Sequence, residues 1–151
     1  MTASLKLTPV SRIGGYSYSD VVHIYAISRA GYIPQLISLR LPNPEVIYEL
    51  LQKADARALV YDAAFEDILD ACPVPRYPES CPDFEETLET LPETPAPQPD
   101  ETVFIFHTSG STSGIPKVIP CSYAWLNTVI RKSYDISRPR TAGRLDVTVA
   151  M

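Results

Sequence analysis

The stretch VFIFHTSGSTSGIPKVIP, residues 103–120, joins two kinds of sequence with different structural preferences. Its first four residues are apolar and β-prone, which predicts a buried strand. That strand runs into a segment of hydroxyl-bearing residues and glycines, which ends at Pro116 and Lys117. A strand that ends in this way presents backbone N–H groups to an anion, and Lys117 adds a positive charge. The stretch predicts a phosphate-binding loop with these ligand-binding residues: Thr108, Ser109, Gly110, Ser111, Thr112, Ser113, Gly114 and Lys117.

The composition of this loop also allows two other interpretations. A flexible Ser/Gly linker has the same composition, but the apolar strand before the loop and the Pro-Lys exit after it favour an ordered site. A Walker-type loop is a poorer match, because no G-x-x-x-x-G-K-S/T pattern occurs in the chain.

The loop resembles the signature T-S-G-S/T-T-G-x-P-K of the adenylate-forming (AMP-dependent synthetase/ligase) superfamily. Ser113 makes it one residue longer than the common form, and Val118 stands where many members have glycine. The wider pattern over residues 107–126 is most similar to adenylation domains of nonribosomal-peptide-synthetase-like carboxylic acid reductases. Residues 16–62 are similar to the family's early segment, although they carry packing residues rather than chemistry.

The resemblance implies a ligase that activates a carboxylic acid with ATP and Mg²⁺, forming an acyl-adenylate and pyrophosphate. The acyl group then passes to the thiol of coenzyme A or of a carrier protein's phosphopantetheine. In this reaction the loop would hold ATP phosphates, and Lys117 would balance charge on the departing pyrophosphate. No catalytic residue and no metal ligand is assigned within this chain.

The family's aromatic-Gly-x-Thr-Glu motif, acyl pocket and C-terminal lid follow the phosphate loop, and no N-x-Y-G-x-T-E occurs in residues 1–151. We therefore expect an incomplete N-terminal portion of an AMP-binding adenylation domain that is inactive alone. Two alternatives remain open. One is a non-catalytic nucleotide- or phosphate-binding remnant. The other is an interaction protein whose P-x-x-P sequences, residues 75–78 and 92–95, dock an SH3-like groove.

Composition limits the remaining possibilities. The chain has 151 residues, 45% of them apolar, which suits one domain. A formal charge of −5 argues against nucleic-acid binding, and the N-terminus and apolar runs predict neither a signal peptide nor a membrane span. The cysteines Cys72, Cys81 and Cys121 lack zinc-site spacing with His23 or His107, so we expect reduced thiols in a cytoplasmic protein.

Helical and strand patterns alternate along the chain, which predicts an α/β fold with a largely parallel sheet, flanking helices and a proline-rich acidic insertion. The expected parts are a disordered lead-in over 1–17, an α/β segment over 18–71, a linker over 72–100 and a phosphate-loop segment over 101–151. The first expected elements are a mostly buried helix over 19–30 capped by Ser19 and ended by Gly31, and a strand over 32–39 in which Pro34 requires an edge position or a place among the first residues. A helix from Asn43-Pro44-Glu45, a strand over 58–61 and a helix over 63–71 capped by Asp62 follow. The last expected elements are a strand over 103–106, an extended path blocked at Pro120, a helix from the Ser122 cap to about Lys132 with Trp125, Leu126, Val129 and Ile130 as its apolar face, and a strand over 146–151.

Overall fold

The computed structural model describes residues 8–14, 18–38, 40–41, 43–79, 96–108 and 116–137. Six strands form one sheet in the order β4-β3-β1-β2-β5-β6, in which β5 and β6 are antiparallel and the other neighbours are parallel. This confirms the predicted α/β fold with a largely parallel sheet. The elements are β1 Pro9–Gly14, α1 Tyr18–Arg29, β2 Ile33–Ser38, α2 Pro44–Lys53, β3 Ala58–Tyr61, a 3-10 helix Ala63–Ile68, β4 Arg76–Pro78, β5 Thr102–His107, β6 Val118–Ser122 and α3 Tyr123–Ser137.

Strand β1 lies in the middle of the sheet and corrects the prediction of a disordered lead-in over 1–17, which is wrong for residues 9–14. It pairs in parallel with β2 on one side and with β3 on the other. Its polar residues interrupt the apolar periodicity from which a strand is predicted. Ser11 is fully buried, yet its hydroxyl donates a 2.6 Å hydrogen bond to Oε1 of Gln35, and Nε2 of Gln35 donates to the Leu50 carbonyl. A buried polar side chain with satisfied hydrogen bonds is tolerated in a central strand.

Strand β2 is an interior strand and Pro34 is its second residue, so of the two places predicted for this proline, an edge strand or the first residues of a strand, the second is confirmed. The Ile33 N–H donates to the Thr8 carbonyl beside β1. Successive N–H groups of a strand point to opposite sides, so the N–H that proline lacks faces β5 instead. The register between β2 and β5 sets Gln35, one residue later, opposite Ile105. Pro34 therefore precedes the pairing and removes no hydrogen bond from it.

The helix predictions are confirmed for α2 and only in part for α1. Helix α2 begins as predicted, because Asn43 accepts a 2.9 Å hydrogen bond from the Glu45 N–H, Pro44 occupies the first turn, and Ile47, Leu50 and Leu51 are buried. Helix α1 ends before Gly31, whose φ of 82° suits glycine. It begins at Tyr18, however, so Ser19 lies in its first turn, and among its described residues Ile27 is the buried one. The prediction of a mostly buried α1 is wrong.

The segment after β3 differs from the prediction in two ways. Asp62 does cap the next turn, by accepting from the Ala64 N–H, but the turn is a 3-10 helix that ends at Ile68. Strand β4 then lies inside the predicted linker and pairs in parallel with β3, since the Leu59 N–H donates to the Pro75 carbonyl and the Glu79 N–H to the Tyr61 carbonyl. The linker prediction is thus wrong at 76–78, where the first P-x-x-P sequence is bound into the sheet. Most of the rest, residues 80–95, lies outside the described residues.

Side-chain contacts of Arg76 add to the backbone pairing of this proline-rich strand with β3. The guanidinium carbon of Arg76 lies 5.8 Å from the centre of the Tyr61 ring, and its Nη2 is 3.2 Å from Oδ1 of Asp70. The Tyr61 hydroxyl in turn donates a hydrogen bond to Glu66, which raises the pKa of Tyr61. These contacts tie β4 to β3 and to the 3-10 helix.

The last two elements extend further than predicted. Strand β6 continues through Pro120 to Ser122, which is possible because β6 is an edge strand and proline needs no partner on its open side. Ser122 caps α3 as predicted, its hydroxyl accepting from the Trp125 N–H at 3.3 Å, but α3 runs on to Ser137. None of its described residues is buried: in the predicted apolar face, Trp125 packs edge-on against Phe106, whereas Val129 and Ile130 stay exposed. The strand predicted over 146–151 lies outside the described residues.

The core lies between the sheet and α2 and contains these residues: Ile13, Ile37, Ile47, Leu50, Leu51, Ala56, Leu59, Tyr61, Phe65 and Leu69. In the part of the chain that the structure describes, no helix is long and apolar enough to cross a membrane.

Candidate phosphate-binding site

The predicted phosphate loop leaves the sheet at the end of β5 and returns to it at the start of β6. His107 lies opposite Val118 in the register of these two strands. Just beyond that pair, the Thr108 N–H donates to the Lys117 carbonyl at 3.0 Å, and the Lys117 N–H donates to Oγ1 of Thr108 at 3.2 Å. The two ends of the loop are therefore joined by reciprocal hydrogen bonds, which hold its entry and exit side by side.

Two of the eight predicted site residues, Thr108 and Lys117, are described, and both are exposed. Pro116 before the lysine is fully buried, so the exit of the loop is anchored while the Lys117 side chain remains open to solvent. The other six residues, Ser109, Gly110, Ser111, Thr112, Ser113 and Gly114, lie outside the described residues. Their role as phosphate ligands stays a prediction.

The loop begins at the edge of the sheet where the parallel strands end. Strands β1, β2, β3 and β5 end at Gly14, Ser38, Tyr61 and His107. Around β1 the strand order reverses, because β2 lies on one side of it and β3 on the other. Ligands of open α/β sheets bind at the carboxyl ends of strands near such a reversal. The loop leaves the carboxyl end of β5, which β2 separates from β1, so it lies along the carboxyl ends of the parallel strands beside this reversal.

His107 connects the start of the loop to β2, a role that the sequence alone did not reveal. Its Nε2 accepts a 3.2 Å hydrogen bond from the Ser38 N–H at the end of β2. Its Nδ1 is buried and has no hydrogen-bond partner among the described residues. The one indication of this role in the sequence is that His107 stands immediately before the loop.

Aromatic side chains pack α3 against the strand that carries the loop. The rings of Phe104 and Phe106 are stacked with centres 5.6 Å apart, and Trp125 meets Phe106 edge-on at 6.1 Å. The alternation of a strand puts both phenylalanines on one face, where they form a surface for the first turns of α3. The Tyr123 N–H also donates to the Glu101 carbonyl. The chain on both sides of the loop is thus held by packing.

A second polar cluster lies at the carboxyl end of β1. Arg12, 2% exposed, places its guanidinium 2.8 Å from Asp20 and 2.5 Å from Glu79. Gly14 allows this approach, because a Cβ there would collide with both the guanidinium and the Asp20 carboxylate. Two carboxylates neutralise the one guanidinium, so this cluster joins β1, α1 and the end of β4 and does not attract an anion.

The described cysteines behave as separate thiols. Cys72 and Cys121 are both free, and burial raises the pKa of the Cys121 thiol. Cys81 lies outside the described residues. In the described ranges no group of three metal-ligating side chains comes together.

Comparison with known proteins gives a consistent result. The AMP-binding domain-containing enzyme iboA of Amanita muscaria (strain Koide BX008) is 31% identical over 131 residues, which make up 81% of this chain and 25% of iboA. The chain thus spans a quarter of the length of this curated relative. No protein-family model matches the chain.

Solved structures with a similar fold include the following two. The nonribosomal peptide synthetase FmoA3, bound to α-methyl-L-serine-AMP, matches with a TM-score of 0.67 and 23% identity over 86% of this chain and 14% of FmoA3. The O-succinylbenzoate coenzyme A synthetase MenE from Bacillus subtilis, in complex with AMP, matches with a TM-score of 0.68 and 19% identity over 84% of this chain and 32% of MenE.

Proposed function

Because the chain belongs to the adenylate-forming (AMP-dependent synthetase/ligase) superfamily, we propose that it supplies the phosphate-binding part of a domain that activates a carboxylic acid with ATP. The observation that carries this proposal is the pair of hydrogen bonds between Thr108 and Lys117, which closes the base of the loop at the carboxyl edge of the sheet. A loop with fixed ends keeps its donors in place before the ligand arrives, so less ordering has to accompany binding.

Charge supports the same assignment. Residues 102–151 contain six lysines and arginines against two acids, whereas residues 62–101 contain twelve acids and one arginine. A basic segment around an anion site raises the local concentration of a nucleotide. Lys117 extends from a buried proline into solvent, where its ammonium group is free to meet a phosphate oxygen.

The proposed reaction joins the acid to the α-phosphate of ATP and releases pyrophosphate. Coenzyme A or a carrier protein's phosphopantetheine is the proposed thiol acceptor of the acyl group. Phosphoryl and adenylyl transfer depend mainly on positioning and charge neutralisation, which a donor-rich loop and a lysine provide. Mg²⁺ would accompany the ATP phosphates, as it commonly does, and no step of this proposal depends on a protein ligand for the ion.

Titration of ATP into the chain tests the phosphate-binding assignment. Lys117→Ala should weaken ATP binding roughly 10- to 100-fold, the range expected when a contact between charged groups worth about 1.5–3 kcal/mol is lost. The control is Lys53→Ala. Lys53 lies at the C-terminal end of α2, near the end of the sheet where the parallel strands begin rather than the end where the loop lies. It forms an ion pair with Glu49. Equal affinities for the two variants would remove the loop from the proposal.

ATP–pyrophosphate exchange with a panel of carboxylic acids separates binding from activation. Since the chain matches a quarter of iboA, we expect the 151-residue chain to bind ATP without catalysing exchange. Exchange well above background by this chain alone would show that it is a complete activating unit.

A further inference from the structure

We propose that His107 is a positioning residue for the phosphate-binding loop, a neutral imidazole whose Nε2 holds the Ser38 N–H and so fixes the end of β5 against the end of β2. The register between these strands is set at Gln35 opposite Ile105. Three residues further along β2, the backbone of Ser38 donates to the His107 ring, with a distance of 3.2 Å between Ser38 N and His107 Nε2. The His107 side chain on β5 thus accepts a hydrogen bond from the backbone of Ser38 on β2, at the point where the loop begins.

The direction of this hydrogen bond determines the state of the ring. A backbone N–H is always a donor, so Nε2 must present its lone pair and carries no proton. A neutral imidazole has its one proton on the other nitrogen, which assigns the proton to Nδ1. An imidazolium, or the tautomer with its proton on Nε2, would place an N–H donor of the ring opposite the Ser38 N–H donor. The hydrogen-bond network therefore selects the Nδ1–H form of His107.

The position of His107 links this contact to the loop. Thr108 follows it directly, and Thr108 exchanges two hydrogen bonds with Lys117. Contacts therefore run without interruption from Ser38 through His107 and Thr108 to the backbone of Lys117. Loss of the acceptor at Nε2 would leave the Ser38 N–H without its partner and detach the end of β5 from the end of β2. We infer that the placement of Lys117 depends on this imidazole.

Nitrogen NMR of the full chain tests the tautomer directly. The sequence has two histidines, His23 and His107, so a His23→Gln variant assigns the two sets of ring signals. At neutral pH the proton of His107 should be found on Nδ1. A proton on Nε2, or on both nitrogens, would overturn the proposal, and this test needs neither a substitution at His107 nor a ligand.

Amide exchange tests the contact between the strands. His107→Leu removes the acceptor and should speed exchange of the Ser38 amide about tenfold, which corresponds to about 1.4 kcal/mol, with faster exchange at Thr108 as well. His107→Gln places an oxygen acceptor near the same point and should restore part of the protection. His23→Leu, which alters a histidine within α1, should leave both amides unchanged. Unchanged exchange at Ser38 and Thr108 in His107→Leu would show that the ring does not position the loop.

The effect on ATP affinity rests on the proposed function. If the wild-type chain binds ATP, His107→Leu should weaken binding several-fold and His107→Gln less. Wild-type affinity in His107→Leu would overturn the positioning role while leaving the loop as the site. If the wild-type chain does not bind ATP, the proposed function fails, and the ring signals and amide exchange still decide whether His107 holds the two strand ends together.

Discussion

Arg12 shows how a charged residue is accommodated in the interior of the sheet. Its side chain is 2% exposed, and the carboxylates of Asp20 and Glu79 lie within ion-pair distance of the same guanidinium nitrogen. Removing one member of a buried ion pair is costly, because the partner charges remain buried without compensation. In this chain, two partly buried carboxylates would face each other without a cation.

Arg12→Leu should therefore lower the free energy of unfolding by about 3 kcal/mol. The control is Arg57→Leu, because the ion pair of Arg57 with Asp55 is exposed, with side chains 67% and 80% accessible. That change should cost less than about 1 kcal/mol. Urea denaturation of the two variants measures the difference, and similar losses would mean that the Arg12 cluster adds nothing beyond a surface pair.

Cys121 offers a second test at a single residue. Burial raises the pKa of its thiol, and the thiolate is the form that reacts with iodoacetamide. At pH 8 we expect Cys72, which is partly exposed, to be alkylated before Cys121 in the folded chain. Peptide mapping after short exposure measures the order, and in urea the two rates should converge. Faster alkylation of Cys121 in the folded chain would contradict its buried place on β6.

The helices and strands differ in how far the local sequence alone specifies them. Helix α2 has a cap, a proline in its first turn and a buried stripe at helical spacing, so its start was predictable. Strands β1 and β4 carry polar residues or prolines, and they are strands because neighbouring strands hold them. Such tertiary pairing leaves no periodic signal in the sequence. For this reason the sequence of β1 resembles a lead-in and that of β4 resembles a linker.

Asn43→Ala should destabilise the fold by about 1 kcal/mol, because the first turn of α2 loses the acceptor for the Glu45 N–H. Asn127→Ala, inside α3, is the matched control and should change stability by less than about 0.5 kcal/mol. Thermal unfolding of both variants provides the measurement. An equal shift in Tm would show that Asn43 does not act as a cap.

Helix α3 should be the least protected of the three α-helices that the structure describes. None of its described residues is buried, whereas α2 buries Ile47, Leu50 and Leu51. Elements with few buried contacts open at low free energy. Hydrogen exchange resolved by peptide should show amides of 126–137 exchanging faster than those of 46–53. Slower exchange in α3 would indicate that its apolar side chains are covered in solution.

Across the whole molecule, the alternation of helices and strands predicted the parallel sheet, and the loop motif predicted the family. The sequence did not predict the strand order, because register and neighbours depend on contacts between distant residues such as Gln35 and Ile105. It named the loop residues but missed His107, because the acceptor role of its ring appears only when Ser38 is brought beside it. Local patterns thus predict the chemistry of a phosphate site, which stays a prediction, and the sheet topology brings the two ends of the loop side by side.

We propose that residues 108–117 form the phosphate site of a nucleotide. Hydrogen exchange of the full chain with and without saturating ATP tests it most directly. ATP should slow exchange in peptides covering 107–118, because backbone N–H groups of the loop would then donate to phosphate oxygens. The same peptides of Lys117→Ala should gain much less protection at the same ATP concentration. Protection at another part of the chain, or equal protection of this segment in both proteins, would contradict the account.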